Sequence, residues 1–281
     1  MNEDHMKKHQ GLTGFWAWSI LLVFIIWTLL PILWMFLSSL KIRGGDFSMP
    51  PRLLFTPDLD NYRNLFWGNT PFLKYANNSL IVSFSATLSG LALGSLAGFS
   101  LAWGKIKREK DLSFWIISTR MAPIAAVILP LYMMFLKVGL LNTLTGLVIA
   151  YLTFTLPFST WMMKCFFENL PEEIIDAAKV DGCSPFATFW KIAVPLMRPG
   201  IVVTGVLCFI FCWNDYLFAA VFTSADQQTI PVAVTLLITQ QGIVWGQVMA
   251  TGVVILIPAL LVGVMVRKHL VTGLSMGAVK G

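Results

Sequence analysis

The 281-residue chain is 57% hydrophobic and only 12% charged, whereas an ordinary soluble domain carries roughly 25% charged residues, so there is too little polar surface here to coat a water-soluble globule. The formal charge of +6 is scattered between apolar runs, and no groove-reading or single-strand-binding motif accompanies it, which excludes a nucleic-acid partner. The solvent for most of this chain is lipid.

Crossing a hydrocarbon core about 30 Å thick takes roughly 20 apolar residues of helix. Six such runs occur, at residues 13–37, 80–103, 112–136, 144–165, 201–222 and 245–266. Lipid offers the backbone no hydrogen-bond partner, and barrel strands of about ten alternating residues are too short to match these runs. The expectation is an all-α membrane protein. Its six transmembrane helices occupy residues 13–266, between an N-terminal tail, 1–12, and a C-terminal tail, 267–281. The first run follows a short tail without a small-residue cleavage site and reads as a retained span. The compact basic cluster Lys105, Lys107, Arg108 and Lys110 sets the orientation, placing both tails and segment 166–200 in the cytoplasm. Cys165, Cys183, Cys208 and Cys212 then lie in the cytoplasm or within a span, where no disulfide is expected.

In chain order, the outer segment 38–79 carries Pro50-Pro51, Pro57 and Pro71, and its Pro57-Asp58-Leu59-Asp60-Asn61-Tyr62 stretch predicts a turn leading into a short helix. The second run places Ala86, Gly90, Gly94 and Gly98 on one helix face, where another backbone can approach closely. Pro123 and Pro130 in the third run and Pro157 in the fourth predict kinks. Two ionisable residues fall well inside spans, Arg120 and Asp215. At 1.5 Å per residue they sit roughly 12 and 20 Å above the cytoplasmic starts of their spans, so an ion pair requires Arg120 to stretch. Three roles stay open for Arg120: a structural tie, a substrate or gate contact, and snorkelling to the lipid edge. Trp213-Asn214-Asp215 reads as a gate or packing element. Outer loop 223–244 lacks Lys and Arg and carries Gln227, Gln228, Gln240 and Gln241.

The most informative stretch runs from Glu168 to Gly182. Asn169 is placed to cap a helix, Pro171 suits its first turn, and Glu172 and Glu173 lie at the positive end of the helix dipole. Asp181-Gly182 ends it, since glycine adopts the left-handed conformation of a helix stop. Ser184 and Pro185 start a second helix that runs through Pro195 and Pro199 into the fifth span. Ala177 and Ala178 present a low-profile surface on the first. An acid-started, smooth helix under a membrane predicts a docking partner.

This segment resembles the EAA loop of permease subunits of binding-protein-dependent ATP-binding cassette importers, in which Glu-Ala-Ala is followed by Gly four residues later and then by a Leu-Pro step. Here Asp176 replaces Glu, Cys183 replaces a small residue, and Val194-Pro195 stands for Leu-Pro. Asp60-Asn61-Tyr62, Asn78-Ser79, Trp213-Asn214-Asp215 and the tail Gly273 to Gly281 are similar to the carbohydrate branch, especially the smaller permease of maltose importers. The resemblance implies the six-helix, methionine-permease-like fold of type I importers. It further implies a heterodimer with a second permease, two ATPase subunits gripping Glu173, Asp176, Ala177, Ala178, Asp181, Gly182 and Pro195, and an extracytoplasmic binding protein that delivers a sugar. Gly277, Ala278 and Lys280 are implied to contact the ATPases, and the loop before the last span to reach the binding protein. Arg120, Trp213, Asn214, Asp215, Gln240 and Gln241 are, from the residues themselves, the candidates to border the path or gate.

No phosphate-binding loop of the form G-x-x-x-x-G-K-[S/T] is present, and the Gly104-Lys105 step is followed by Ile106. Energy must then come from a partner or a gradient; the resemblance implies ATP and Mg on partner subunits, with no cofactor on this chain. His5, His9 and His269 lie outside the spans, so no catalytic or metal centre is expected within them. The alternatives are a self-contained carrier or channel and a membrane scaffold. The substrate expected is a di- or oligosaccharide, glycoside or polyol, and Arg120 extends that range to an anionic sugar derivative.

Overall fold

The computed structural model describes residues 3–41, 54–68, 71–239 and 242–278. Gln240, Gln241 and Lys280 lie outside them. The chain divides into two compact units, residues 1–70 with 237–255, and residues 71–236 with 256–281.

In the first unit, helix α1 (Glu3–Ser39) leaves Ile20, Phe24, Trp27 and Leu30 exposed, the surface required of a helix bathed in lipid. The short helix α2 (Asp60–Trp67) is tied back to the end of α1. The Asn61 amide donates to the carbonyls of Ser39 at 3.0 Å and Lys41 at 2.8 Å, and the Tyr62 and Ser39 hydroxyls share a 2.7 Å bond. These bonds satisfy carbonyls orphaned at the end of α1. Ile238–Thr239 (β1) and Gly242–Ile243 (β2) follow the one-turn helix α12 (Ile230–Ala233) along the chain and pair antiparallel ahead of α13 (Trp245–Ala278).

The second unit is built on α3 (Phe72–Trp103) and α6 (Leu144–Phe167). The small-residue stripe is the reason they meet. A Cβ on Gly98 would stand 2.7 Å from the backbone nitrogen of Lys164 and 2.9 Å from the carbonyl oxygen of Thr160, and the Ser159 hydroxyl donates to the Gly90 carbonyl at 2.6 Å. At this contact only hydrogen fits between two backbones. Above it, Val82, Ala86, Leu147, Ala150 and Tyr151 form a fully buried core.

Two of the six expected spans are not single helices. The third is α4 (Glu109–Ser118), a 3₁₀ turn at Thr119–Met121, and α5 (Ile124–Lys137), bent by 91°. Pro123 breaks this span where a kink was expected, because the residue before proline is pushed out of the helical region; Ala122 has ψ 132°. The apolar run 201–222 is divided between α10 (Arg198–Trp213) and α11 (Leu217–Phe222), with an 82° bend before α10. Four unbroken candidate spans remain, at Trp16–Ser39, Phe72–Trp103, Leu144–Phe167 and Trp245–Arg267, and the bent pairs raise the count to six.

Candidate functional site

The segment after α6 folds as two helices around a glycine. Helix α7 (Glu172–Val180) starts at Pro171. Asn169 does not cap it; its amide donates to the Cys165 carbonyl at 2.8 Å and closes α6 instead. Gly182 has φ +75°; its N–H reaches the Lys179 carbonyl at 3.0 Å, and the N–H of Cys183 reaches that of Ala178 at 2.9 Å. This paired helix stop requires the left-handed conformation, which glycine adopts without a Cβ penalty. Ser184 restarts the chain: its hydroxyl accepts the Ala187 N–H at 3.2 Å and caps α8 (Pro185–Thr188). A π-helical turn, Phe189–Ala193, and α9 (Val194–Leu196), which holds Pro195, follow.

This elbow presents one face and buries the other. Glu173, Asp176, Ala177, Asp181, Gly182 and Pro195 are exposed. Ala178 does not share their surface: it is 2% exposed and turns inward beside Ile175, a correction to the expected alanine pair. One helical step is 100°, so adjacent residues cannot occupy the same narrow face. Ile175 joins Phe99, Phe167 and Phe189 in a buried cluster, which anchors α7 to the ends of α3 and α6. Val180, Phe186 and Trp190 stand exposed at 87%, 64% and 52%. These apolar side chains belong to the exposed face although the sequence reading passed over them. Their signal was large apolar residues in a segment too polar to span.

A second site lies where the broken spans come together. Arg120, in the 3₁₀ turn, and Asp215, between α10 and α11, line one half-open cleft of about 260 Å³ with Thr153, Phe154 and Phe211. The depths estimated for straight helices do not apply, because both spans break at these residues. Arg120 and Asp215 form no ion pair within 4.0 Å; among the described residues, the guanidinium has neither an acidic partner nor a hydrogen bond. Its central carbon instead lies 4.5 Å from the ring centres of both Phe158 and Phe211, which meet edge to face at 5.2 Å. A cation over aromatic rings gains about 0.5–2 kcal/mol. Placing arginine in the middle of a span costs about 2.5–3.5 kcal/mol on insertion scales, so the rings offset only part of it.

Asp215 is held locally: its Oδ2 accepts the Ala219 N–H at 3.1 Å at the start of α11. The Asn214 amide donates to the Ile210 carbonyl at 2.9 Å and closes α10. Trp213 is buried and stacks on Phe209 with centroids 5.8 Å apart. Of Trp213, Asn214 and Asp215, only Asp215 lines the cleft. Non-helical backbone at membrane depth is tolerated where it is buried in protein or lines a water-filled cavity, and here both interruptions fall at one cleft. Gly277 and Ala278 fall in the last turn of α13.

Comparison with known proteins adds an independent observation. The family described as binding-protein-dependent transport system inner membrane component matches residues 90–275. A probable ABC transporter permease of Sinorhizobium fredii is 34% identical over 95% of this chain and 94% of its own length. The trehalose transport system permease protein of Mycobacterium tuberculosis is 33% identical over 94% of this chain and 97% of its own length. Among solved structures, a bacterial ABC transporter involved in import of the acidic polysaccharide alginate superimposes with a TM-score of 0.74 at 22% identity, over 92% of this chain and 97% of that one.

Proposed function

The chain belongs to the binding-protein-dependent transport system inner membrane components, a family of multi-pass permease subunits without a catalytic centre, and from that premise we propose that it imports a sugar or sugar derivative. The trehalose permease of M. tuberculosis, similar over 94% of this chain, supports a saccharide cargo. On this reading the chain pairs with a second permease, both termini face the cytoplasm, and an extracytoplasmic binding protein delivers the cargo. Two ATPase subunits hydrolyse ATP with Mg.

The observation that carries the coupling is the elbow at Gly182. Its exposed face includes Glu173, Asp176, Ala177 and Asp181, with Pro195 on α9, while Ile175 on the opposite face is locked against Phe99 and Phe167. A force applied to the exposed face by a closing ATPase pair therefore reaches α3 and α6 as a rigid displacement. Packed helices have discrete arrangements, so ATP acts by biasing an inward-to-outward equilibrium. The cleft at Arg120 and Asp215 is this chain's contribution to the path. The reading is tested by reconstituting the chain with its second permease and ATPase pair in liposomes. Uptake that requires both ATP and the ATPase subunits is the expected result; uptake by the isolated chain without ATP would contradict it.

A further inference from the structure

We propose that the cleft at the two broken spans is an oxyanion-accepting subsite, in which Arg120 receives the carboxylate or sulfonate of an acidic saccharide. The proposal deepens the importer reading and rests on it for the identity of the cargo.

Geometry carries the argument. The Arg120 guanidinium rests over Phe158 and Phe211, 4.5 Å from each ring centre. The two rings stand at 78° to one another, so the planar guanidinium can lie flat on one of them at most, and neither ring replaces an oxyanion as the partner of its rigid fork of five N–H donors. That fork has no protein acceptor among the described residues. Asp215 lines the same cleft, where its Oδ2 accepts the Ala219 N–H, and it makes no ion pair with Arg120 within 4.0 Å. The guanidinium is thus held against two rings beside an open volume, with no acid within ion-pair distance of it among the described residues.

The rest of the cleft suits a sugar. The Thr153 hydroxyl donates to the Ala150 carbonyl at 2.6 Å, which leaves its lone pairs to accept from a saccharide hydroxyl. Phe211, which also contacts the guanidinium, leaves part of its apolar ring exposed in the cleft for the C–H side of a sugar. An uncharged sugar gains from the hydroxyl and the ring but does not satisfy the guanidinium, whereas a uronate or sulfonate satisfies all three.

The test reads the charge of the cleft without requiring transport, so its failure is separable from failure of the importer reading. A Thr153→Cys variant, assembled with its partner subunits in membrane vesicles, is treated with methanethiosulfonates of opposite charge, sulfonatoethyl and trimethylammonioethyl. The background of the native cysteines is subtracted. Relative to a free thiol, the anionic reagent is expected to react about tenfold faster than the cationic one, the scale on which a focused field concentrates counter-ions. Adding Arg120→Gln should abolish that preference, and Arg120→Lys should retain it. An acid from the second permease that neutralised Arg120 would remove the preference from the start and overturn the proposal, as would a preference indifferent to Arg120→Gln. The cargo class is read in the same assay: D-glucuronate is expected to slow modification and D-glucose is not. Equal protection by both, or by neither, would overturn the assignment to an acidic saccharide.

Discussion

The Lys164 ammonium lies 2.7 Å from the Glu109 carboxylate, with side chains only 13% and 23% exposed. Lys164 sits at the end of α6 and Glu109 in the first turn of α4, so the pair ties the start of the broken third span to the helix that leads into the elbow. Glu168 adds a second carboxylate at 2.7 Å from the same ammonium. Burial sets this pair apart from a surface ion pair, which contributes between zero and 1 kcal/mol.

Glu109→Gln should therefore lower the stability of the assembled complex by about 1 kcal/mol, a modest loss because Glu168 still neutralises Lys164. Lys164→Met should cost more, since it leaves two carboxylates facing each other. Thermal unfolding of the purified complex measures both, and equal effects would contradict the shared-ammonium arrangement.

Gly98→Ala should prevent close approach of α3 and α6. The new methyl would stand 2.7 Å from one backbone atom and 2.9 Å from another, and overpacking of this kind costs typically about 1–3 kcal/mol. Gly263→Ala on α13 is the control, because nothing lies within 4 Å of its Cβ position. Membrane-inserted protein recovered in detergent should fall for the first variant and hold for the second.

Gly182→Val should abolish uptake and substrate-stimulated ATP hydrolysis. At φ +75° a side chain costs about 1–2 kcal/mol, and this one would also project from the exposed face of the elbow. Asn enters the left-handed region more readily, so Gly182→Asn should keep part of the coupling. Comparing ATPase stimulation in the two variants separates backbone strain from lost coupling.

Asn78→Ala should loosen the outer loop. The Asn78 amide donates to the carbonyls of Asp226 at 2.8 Å and Gln228 at 2.9 Å, the Ile230 N–H donates to the Ser79 hydroxyl at 2.9 Å, and Lys74 pairs with Asp226 at 2.9 Å. Removing one buried donor that serves two acceptors costs about 1–3 kcal/mol. Faster proteolytic cleavage between Thr223 and Thr229 is the expected readout.

Much of this was legible in the sequence for local reasons. Glycines at a spacing of four announced a close backbone approach on α3, though not that α6 makes it, and Asp181-Gly182-Cys183-Ser184-Pro185 announced a helix stop and restart, because caps and stops are decided by neighbouring residues. What stayed hidden depended on competition between hydrogen bonds or on distant partners. Asn169 was expected to start α7 yet closes α6, and Asn214 and Asp215 looked like polar residues inside one span. They end one helix and begin the next by bonding to backbone groups four residues away, as short polar side chains can. Arg120 could not be interpreted from its own span, since Phe158 and Phe211 reach it from two other helices. Asn61 and Asn78 were noticed as resemblances, but their work as loop tethers required the fold to bring carbonyls to them.

The central claim, that the elbow is the docking surface for an ATPase, is tested most directly by a photo-cross-linking amino acid at Ala177, on the exposed face, and at Ala178, 2% exposed on the opposite one. In intact cells, position 177 is expected to capture an ATPase subunit, and position 178 to react only within its own chain. Absence of any ATPase adduct at position 177 would contradict the account.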